Sequence, residues 1–213
     1  TIGILFFQGY WSSKNVEPVD ALVRELERIG ANALPVFFIA SPSTVSGSIG
    51  IRKVVEEYFM EGDLPRVDAV ILNMGFSQVS LSNPSDGSVK RTIHNFFKDL
   101  NVPILQVMTL WRTQAAWEEN TFGLSAPEIY VGVVGPEFDG QIITVPIAST
   151  EIDNEGRRTS RPIPDRVKRA ASLSKAYATL SRTPPAQRKV AITLWAPQID
   201  RVGTAAGLDT FQS

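Results

Sequence analysis

Apolar residues along the chain fall into short runs separated by polar stretches, and they follow two different periods. Ile2–Phe7 is a nearly unbroken apolar run, as expected for a strand buried on both faces. After a polar loop, Gln8–Asn15, the residues Val19, Leu22, Val23, Leu26 and Ile29 recur at helical spacing, opposite Glu25, Glu27 and Arg28. Pro18 suits the first turn of that helix and Gly30 its C-terminal cap. Leu34–Ile39 predicts a second strand. Strand, helix, strand in this order is a βαβ unit, which implies parallel pairing and a right-handed crossover. The alternation continues with a helix over Ile51–Met60, a strand over Ala69–Met74, a helix from Val89 to Leu100 and a strand over Val102–Val107. A short helix is expected at Thr113–Asn120. The pattern predicts an α/β fold: a doubly wound, mostly parallel sheet of Rossmann or flavodoxin type with helices on both faces.

In such a sheet the loops that follow the strands share one edge, and ligands bind there. Those loops are Gln8–Asn15, Ala40–Gly50, Gly75–Gly87 and Met108–Thr113. Two of them carry tryptophan, in Tyr10-Trp11 and Trp111-Arg112. Aromatic faces beside a cation suit a large, flat, anionic ligand. The alternative is that these rings fill a satellite core beneath the loops.

Val131–Ser149 reads as two β-rich segments flanking a turn, Gly135-Pro136-Glu137-Phe138-Asp139-Gly140. Its two carboxylates, Glu137 and Asp139, would stand where one strand ends and the next begins. An Asp-Gly pair is also an ordinary turn dipeptide, so the spacing alone leaves a purely structural turn as the other reading. Beyond it, residues 150–189 read as a polar linker with a basic helix capped by Asp165. Residues 190–213 read as the start of a following, truncated α/β block, after an α/β domain at 1–149. The C-terminal helix and strand are assigned to that next block.

Composition narrows the picture. The chain has 213 residues and a net charge of −1, which gives no reason to expect nucleic acid as a partner. It has no cysteine, which excludes disulfides, thiolate nucleophiles and cysteine-ligated metals. That usage fits a reducing compartment, and a cytoplasmic location is expected. No apolar run approaches the roughly 20 residues that cross a bilayer. The chain opens directly on a strand and closes on a loop that no helix follows, so it is expected to be a fragment of a longer protein.

Other chemistry is sparse. Ser46–Gly50 is glycine-rich and precedes a helix, but it lacks the spacing of a phosphate-binding loop. His94 is the only histidine, which argues against a Ser-His-Asp triad and against a histidine metal site. Between Arg157 and Lys189 there are ten lysines and arginines and one acid, Asp165. Such a run is either a solvated helix face or a docking surface for acidic partners.

Several stretches together resemble the large subunits of cobaltochelatase and magnesium chelatase. One block is Ile2–Phe7, Trp11, Val19–Val23 and Leu34–Phe37. A second is Asn101-Val102-Pro103-Ile104-Leu105-Gln106-Val107. The most specific comprises Ala116-Trp117-Glu118, Gly123-Leu124-Ser125 and Pro136–Thr144. The last is Arg182-Thr183-Pro184, Val190–Trp195 and Gly207–Thr210. The chain departs from the family's usual final loop at Ala196–Gly203.

The resemblance implies part of the tetrapyrrole-binding subunit of an ATP-dependent metal chelatase, a ligase forming nitrogen–metal bonds that is inactive as this piece alone. The substrate metal would be Co²⁺, inserted into hydrogenobyrinic acid a,c-diamide in cobalamin biosynthesis. The magnesium branch, inserting Mg²⁺ into protoporphyrin IX, is the alternative. ATP and its Mg²⁺ would be used by separate AAA+ ATPase subunits, and a scaffolding role toward those subunits is the other reading of this chain. Insertion requires removal of pyrrole N–H protons and desolvation of the ion, for which a carboxylate serves as base and oxygen ligand. Glu137 is the first candidate for both roles and Asp139 the second. Tyr10, Trp11, Trp111 and Arg112 are the candidates for substrate binding.

Overall fold

A computed structural model of the chain describes residues 1–39, 49–75, 77, 80–82, 92–94 and 96–191. The chain divides into two compact units, Thr1–Arg182 and Thr183–Ser213.

The larger unit is built on a six-stranded sheet. The first strand, β1 (Ile2–Phe7), leads through a short helix, α1 (Gln8–Ser12), and a long one, α2 (Glu17–Arg28), to β2 (Ala33–Phe38). Helix α3 (Ile51–Val54) continues into a π-helical turn, Val55–Phe59, and a small hairpin, β3 (Met60–Glu61) and β4 (Leu64–Pro65). Strand β5 (Ala69–Asn73) follows, then a second small hairpin, β6 (Ser80–Ser82) and β7 (Thr92–His94), helix α4 (Phe96–Leu100) and strand β8 (Ile104–Thr109). Helices α5 (Gln114–Glu118) and α6 (Ala126–Ile129), a π-helical turn Tyr130–Val134 and helix α7 (Gly135–Phe138) lead to β9 (Ile142–Ile152), β10 (Arg158–Pro162) and α8 (Pro164–Arg182).

The sheet runs β2-β1-β5-β8-β9-β10. The first five strands are parallel, and β10 is antiparallel to β9. The chain leaves β1 for one edge and then returns to build the other, so the order reverses between β1 and β5. Both faces are covered. Ile4, Phe6, Ile71, Val107 and Ile147 pack against Val19, Leu22 and Leu26 of α2 and against Val167, Ala170 and Ala171 of α8. On the other face Leu5, Val70, Leu72 and Ile104 meet Val54, Val55 and Phe59, with Phe97 and Leu100 of α4. Burial on both faces is why these strands read as continuous apolar runs.

Four expectations need correction. Residues 150–162 are not a linker: they complete β9 and form β10, whose register pairs Arg158 with Ile152 and Pro162 with Ala148. An edge strand exposes one side to solvent, so its polar sequence resembles a loop. Helix α8 belongs to this sheet rather than to a following block, since its buried residues Val167, Ala170 and Ala171 lie in the core beside α2. The unit therefore ends at Arg182, not at residue 149 or 189. The helix expected from Val89 begins only at Phe96, and Thr92–His94 is a strand paired with Ser80–Ser82.

The fourth correction concerns Val131–Val134, which is helical rather than β. The β-branched residues favour a strand in isolation, but Ser125 and Glu128 form a capping box with Pro127 in the first turn, which starts a helix just upstream. Pro136 has no N–H to donate. The π-helical turn before it widens the coil and accommodates that loss. Within β9, Pro146 sits where the pairing with β8 shifts register, a position that tolerates a missing N–H.

In the second unit, residues 183–191 are described and hold a single 3₁₀ turn, Pro185–Gln187. The strand expected over Val190–Trp195 lies outside the described residues from position 192. So do Ala196–Gly203, Gly207–Thr210 and, in the larger unit, Ser46–Ser48. Among the described residues no helix is long and apolar enough to cross a membrane.

Candidate functional site

The C-terminal ends of β1, β5 and β8 open into a cleft of about 270 Å³, on the strand edge where the order reverses. Its floor includes Asn73, Val107, Met108 and Thr109, and its walls include Tyr10, Asn15, Trp111, Glu128, Gly132 and Arg158–Ser160.

One wall is closed by a reciprocal pair of hydrogen bonds between the loop after β1 and strand β10. The Asn15 amide nitrogen donates to the Ser160 hydroxyl at 3.1 Å, and the Ser160 N–H donates to the Asn15 carbonyl oxygen of the side chain at 2.7 Å. Tyr10 stands beside that loop. Burial pushes its phenol pKa up, against the opposing pull of the Thr109 hydroxyl, so the phenol is a neutral O–H donor at physiological pH.

The opposite wall is organised by Glu128, which is 4% exposed. Its carboxylate accepts the Trp111 N–H at 2.9 Å, the Arg112 guanidinium at 2.6 Å, and the Ser125 N–H and hydroxyl at 2.8 and 2.6 Å. Burial alone would raise its pKa. The four donors outweigh burial and hold it at about 2. Glu128 thereby fixes the loop that carries Trp111. Strand β9 holds the same loop from below, where Thr150 donates its N–H to the Arg112 carbonyl and its hydroxyl to that of Leu110.

The structure brings together two of the four expected ligand-contacting residues. Tyr10 and Trp111 both line the cleft. Trp11 does not: successive residues on a helix point about 100° apart, and Trp11 stacks on Phe37 with ring centroids 6.1 Å apart. Arg112 is held by Glu128. The expected carboxylates are elsewhere. The helical run from Ala126 to Phe138 starts at the cleft and leads to the opposite end of the sheet, where β9 begins. Nine residues at a rise of about 1.5 Å place Glu137 roughly 13 Å along the helix from Glu128. Glu137 is exposed there. Asp139 is buried, with its carboxylate accepting from the Ser77 hydroxyl and from Gln141 at 3.1 Å. The two residues therefore do not stand beside Trp11 and Trp111, because the turn that bears them ends a helix and does not join two strands.

Among the described residues, four of the ten basic residues in the run pair with acids. Arg157 meets Asp153, Arg161 meets Glu17, Arg166 meets Asp165 and lies over the Trp117 ring at 5.0 Å, and Arg182 meets Asp68. Most of these acids lie outside the run itself, which is why the imbalance looked larger in sequence. Among the described residues no three histidine, cysteine, aspartate or glutamate side chains converge as a metal site.

Asn15, Asn73, Glu128, Arg158 and Ser160 line the cleft without having been foreseen. Two had a sequence signal: Asn15 ends a loop expected on this edge, and Glu128 belongs to the Ser-x-x-Glu of the capping box. Arg158 and Ser160 depend on β10, which read as linker.

The model of the CobN/Magnesium Chelatase family matches residues 1–213. The chain belongs to that family. Its match to the CobN subunit of aerobic cobaltochelatase from Sinorhizobium sp. is 30% identical over 221 residues, 99% of this chain and 16% of that protein. Its match to the H-type large subunit of magnesium chelatase from Rhodobacter capsulatus is 30% identical over 233 residues, 100% of this chain and 18% of that protein. The chain thus spans less than a fifth of the curated family members it matches. The catalytic subunit of cobaltochelatase from Mycobacterium tuberculosis superposes on 88% of the chain with a TM-score of 0.67 at 26% identity, and 15% of that structure is covered. The mostly parallel α/β sheet is therefore the fold of this family segment, and both the cobalt and the magnesium branches are among its relatives.

Proposed function

We propose that the chain forms part of the tetrapyrrole-binding surface of a metal-chelatase large subunit, with the cleft above β1, β5 and β8 as its point of contact. The observation that carries this reading is the meeting of Tyr10 and Trp111 at the reversal of strand order, where open α/β sheets bind ligands. Pockets that enclose drug-sized ligands measure about 300–1,000 Å³. A cleft of about 270 Å³ accepts the edge and side chains of a macrocycle, not the whole ring. The flat face then lies over Trp111, which is 54% exposed.

Glu128, the one carboxylate on this cleft among the described residues, is already held by four donors and is a poor proton acceptor near neutrality. The cleft on this reading binds and orients, and the base that takes the pyrrole protons lies outside it. Relatives from both branches match at 30% identity, which supports Co²⁺ or Mg²⁺ as the substrate metal; on this reading ATP is hydrolysed by separate AAA+ subunits.

Titration of the chain with protoporphyrin IX or a metal-free corrinoid, followed by tryptophan fluorescence, tests the reading. Saturable quenching is expected. Trp111→Ala should remove most of the signal and weaken binding roughly tenfold, whereas Trp11→Ala should leave the affinity near wild type. Absence of quenching with both rings, or equal losses in the two variants, would overturn it.

A further inference from the structure

We infer that Arg158, together with Asn73, forms a carboxylate-reading subsite in this cleft, selecting tetrapyrroles that carry free acidic side chains over those with amides or esters. The inference rests on the ring-binding reading above and adds to it the chemical group that is recognised.

Arg158 is distinguished from its neighbours by having no acidic partner among the described residues. Arg157 is held by Asp153 and Glu155, and Arg161 by Glu17. Among the described residues no carboxylate pairs with Arg158, and it is the one of the three that lines the cleft. The only acid described there, Glu128, is neutralised by Arg112. Among the described residues, the charge left to the cleft is therefore the guanidinium of Arg158. An arginine fork binds a carboxylate through two parallel N–H donors, a geometry that an ester or a neutral amide does not match in charge.

Asn73 supplies the second observation. It ends β5, is 3% exposed and lines the same cleft, yet its side chain makes no hydrogen bond among the described residues. A polar side chain buried to that degree ordinarily has a partner. A ligand oxygen entering the cleft gives the Asn73 amide that partner. The Arg158 backbone is fixed by pairing with Ile152 on β9, so the guanidinium is presented from a rigid strand rather than a loop.

The comparison that tests this uses protoporphyrin IX and its dimethyl ester, titrated against wild type, Arg158→Gln, Arg158→Lys and Asn73→Ala. Wild type is expected to prefer the free acid at least tenfold, the scale that charge-assisted hydrogen bonds reach. Arg158→Gln should bring the acid-to-ester ratio close to one, Arg158→Lys should restore part of it, and Asn73→Ala should lower it severalfold. A wild-type chain that binds acid and ester equally, or an Arg158→Gln variant that keeps the full preference, would overturn the inference while leaving ring binding intact. A wild-type chain that binds neither ring would overturn both.

Discussion

Replacing Glu128 with alanine is expected to lower the unfolding free energy by about 3 kcal/mol, read as a lower urea midpoint at pH 7. The substitution removes the common acceptor of the Trp111 N–H, the Arg112 guanidinium and two groups of Ser125. Arg112 is then left without its counter-ion while its side chain is only 22% exposed, and the capping box at the head of the 126–138 helical run is lost. The pH dependence has a definite sign. The folded pKa of about 2 lies below the ordinary value of 4.5. The stabilisation is therefore complete above about pH 4.5 and is lost as pH falls toward 2. At 1.36 kcal/mol per pKa unit the difference is about 3 kcal/mol across that window. Glu128→Gln should flatten this part of the acid-unfolding profile. A variant as stable as wild type at pH 7, with an unchanged acid slope, would show that Glu128 contributes no net stability. Because the same carboxylate fixes the loop of Trp111, Glu128→Gln should also broaden the Trp111 emission response in ring titrations, even at temperatures where the protein is fully folded.

The parts of the fold that could be read from sequence are those whose burial is symmetric. Strands β1, β5 and β8 lie between helical layers, so they are almost wholly apolar apart from Gln106 and Asn73, and α2 shows one apolar stripe toward the sheet. Loops after parallel strands share an edge by topology alone, which is why the sequence pattern suffices to place Tyr10 and Trp111 on one edge. Geometry one residue finer was not readable. Tyr10 and Trp11 are adjacent in sequence but diverge on α1, and Trp111 and Arg112 diverge because Glu128 takes one of them. Two kinds of segment misled. The Val131–Val134 run has strand propensity, but the cap at Ser125 and the packing of Gly132 against Met108 make it a helix, and this moved Glu137 and Asp139 to the wrong end of the sheet. The polar residues of β10 looked like a linker, yet that strand brings Arg158 and Ser160 to the cleft. The candidate base was thus misplaced by a local propensity, and the candidate anion site was concealed by an edge strand.

Replacing Gly75 with alanine is the other substitution with a large expected effect, a loss of about 2 kcal/mol from overpacking. A Cβ at Gly75 would lie 2.2 Å from Cγ1 of Val131 and 3.0 Å from the Val131 carbonyl oxygen. No positive backbone angle is involved, so the requirement is for space: the chain leaving β5 passes directly against the π-helical turn. Valine has little rotamer freedom in a helix, so relief requires the 126–138 run to move off the sheet. That run carries Glu128 at one end and Gly132, which lines the cleft, in its middle. Gly75→Ala should therefore weaken ring binding as well as stability, although residue 75 has no side chain to contribute. Val131→Ala removes the nearer clashing atom and leaves the carbonyl contact. In the Gly75→Ala, Val131→Ala pair, urea midpoints should show the double variant more stable than the sum of the two single losses predicts, by about 1 kcal/mol. Strict additivity would mean that the contact between Gly75 and Val131 is not what excludes a side chain at position 75.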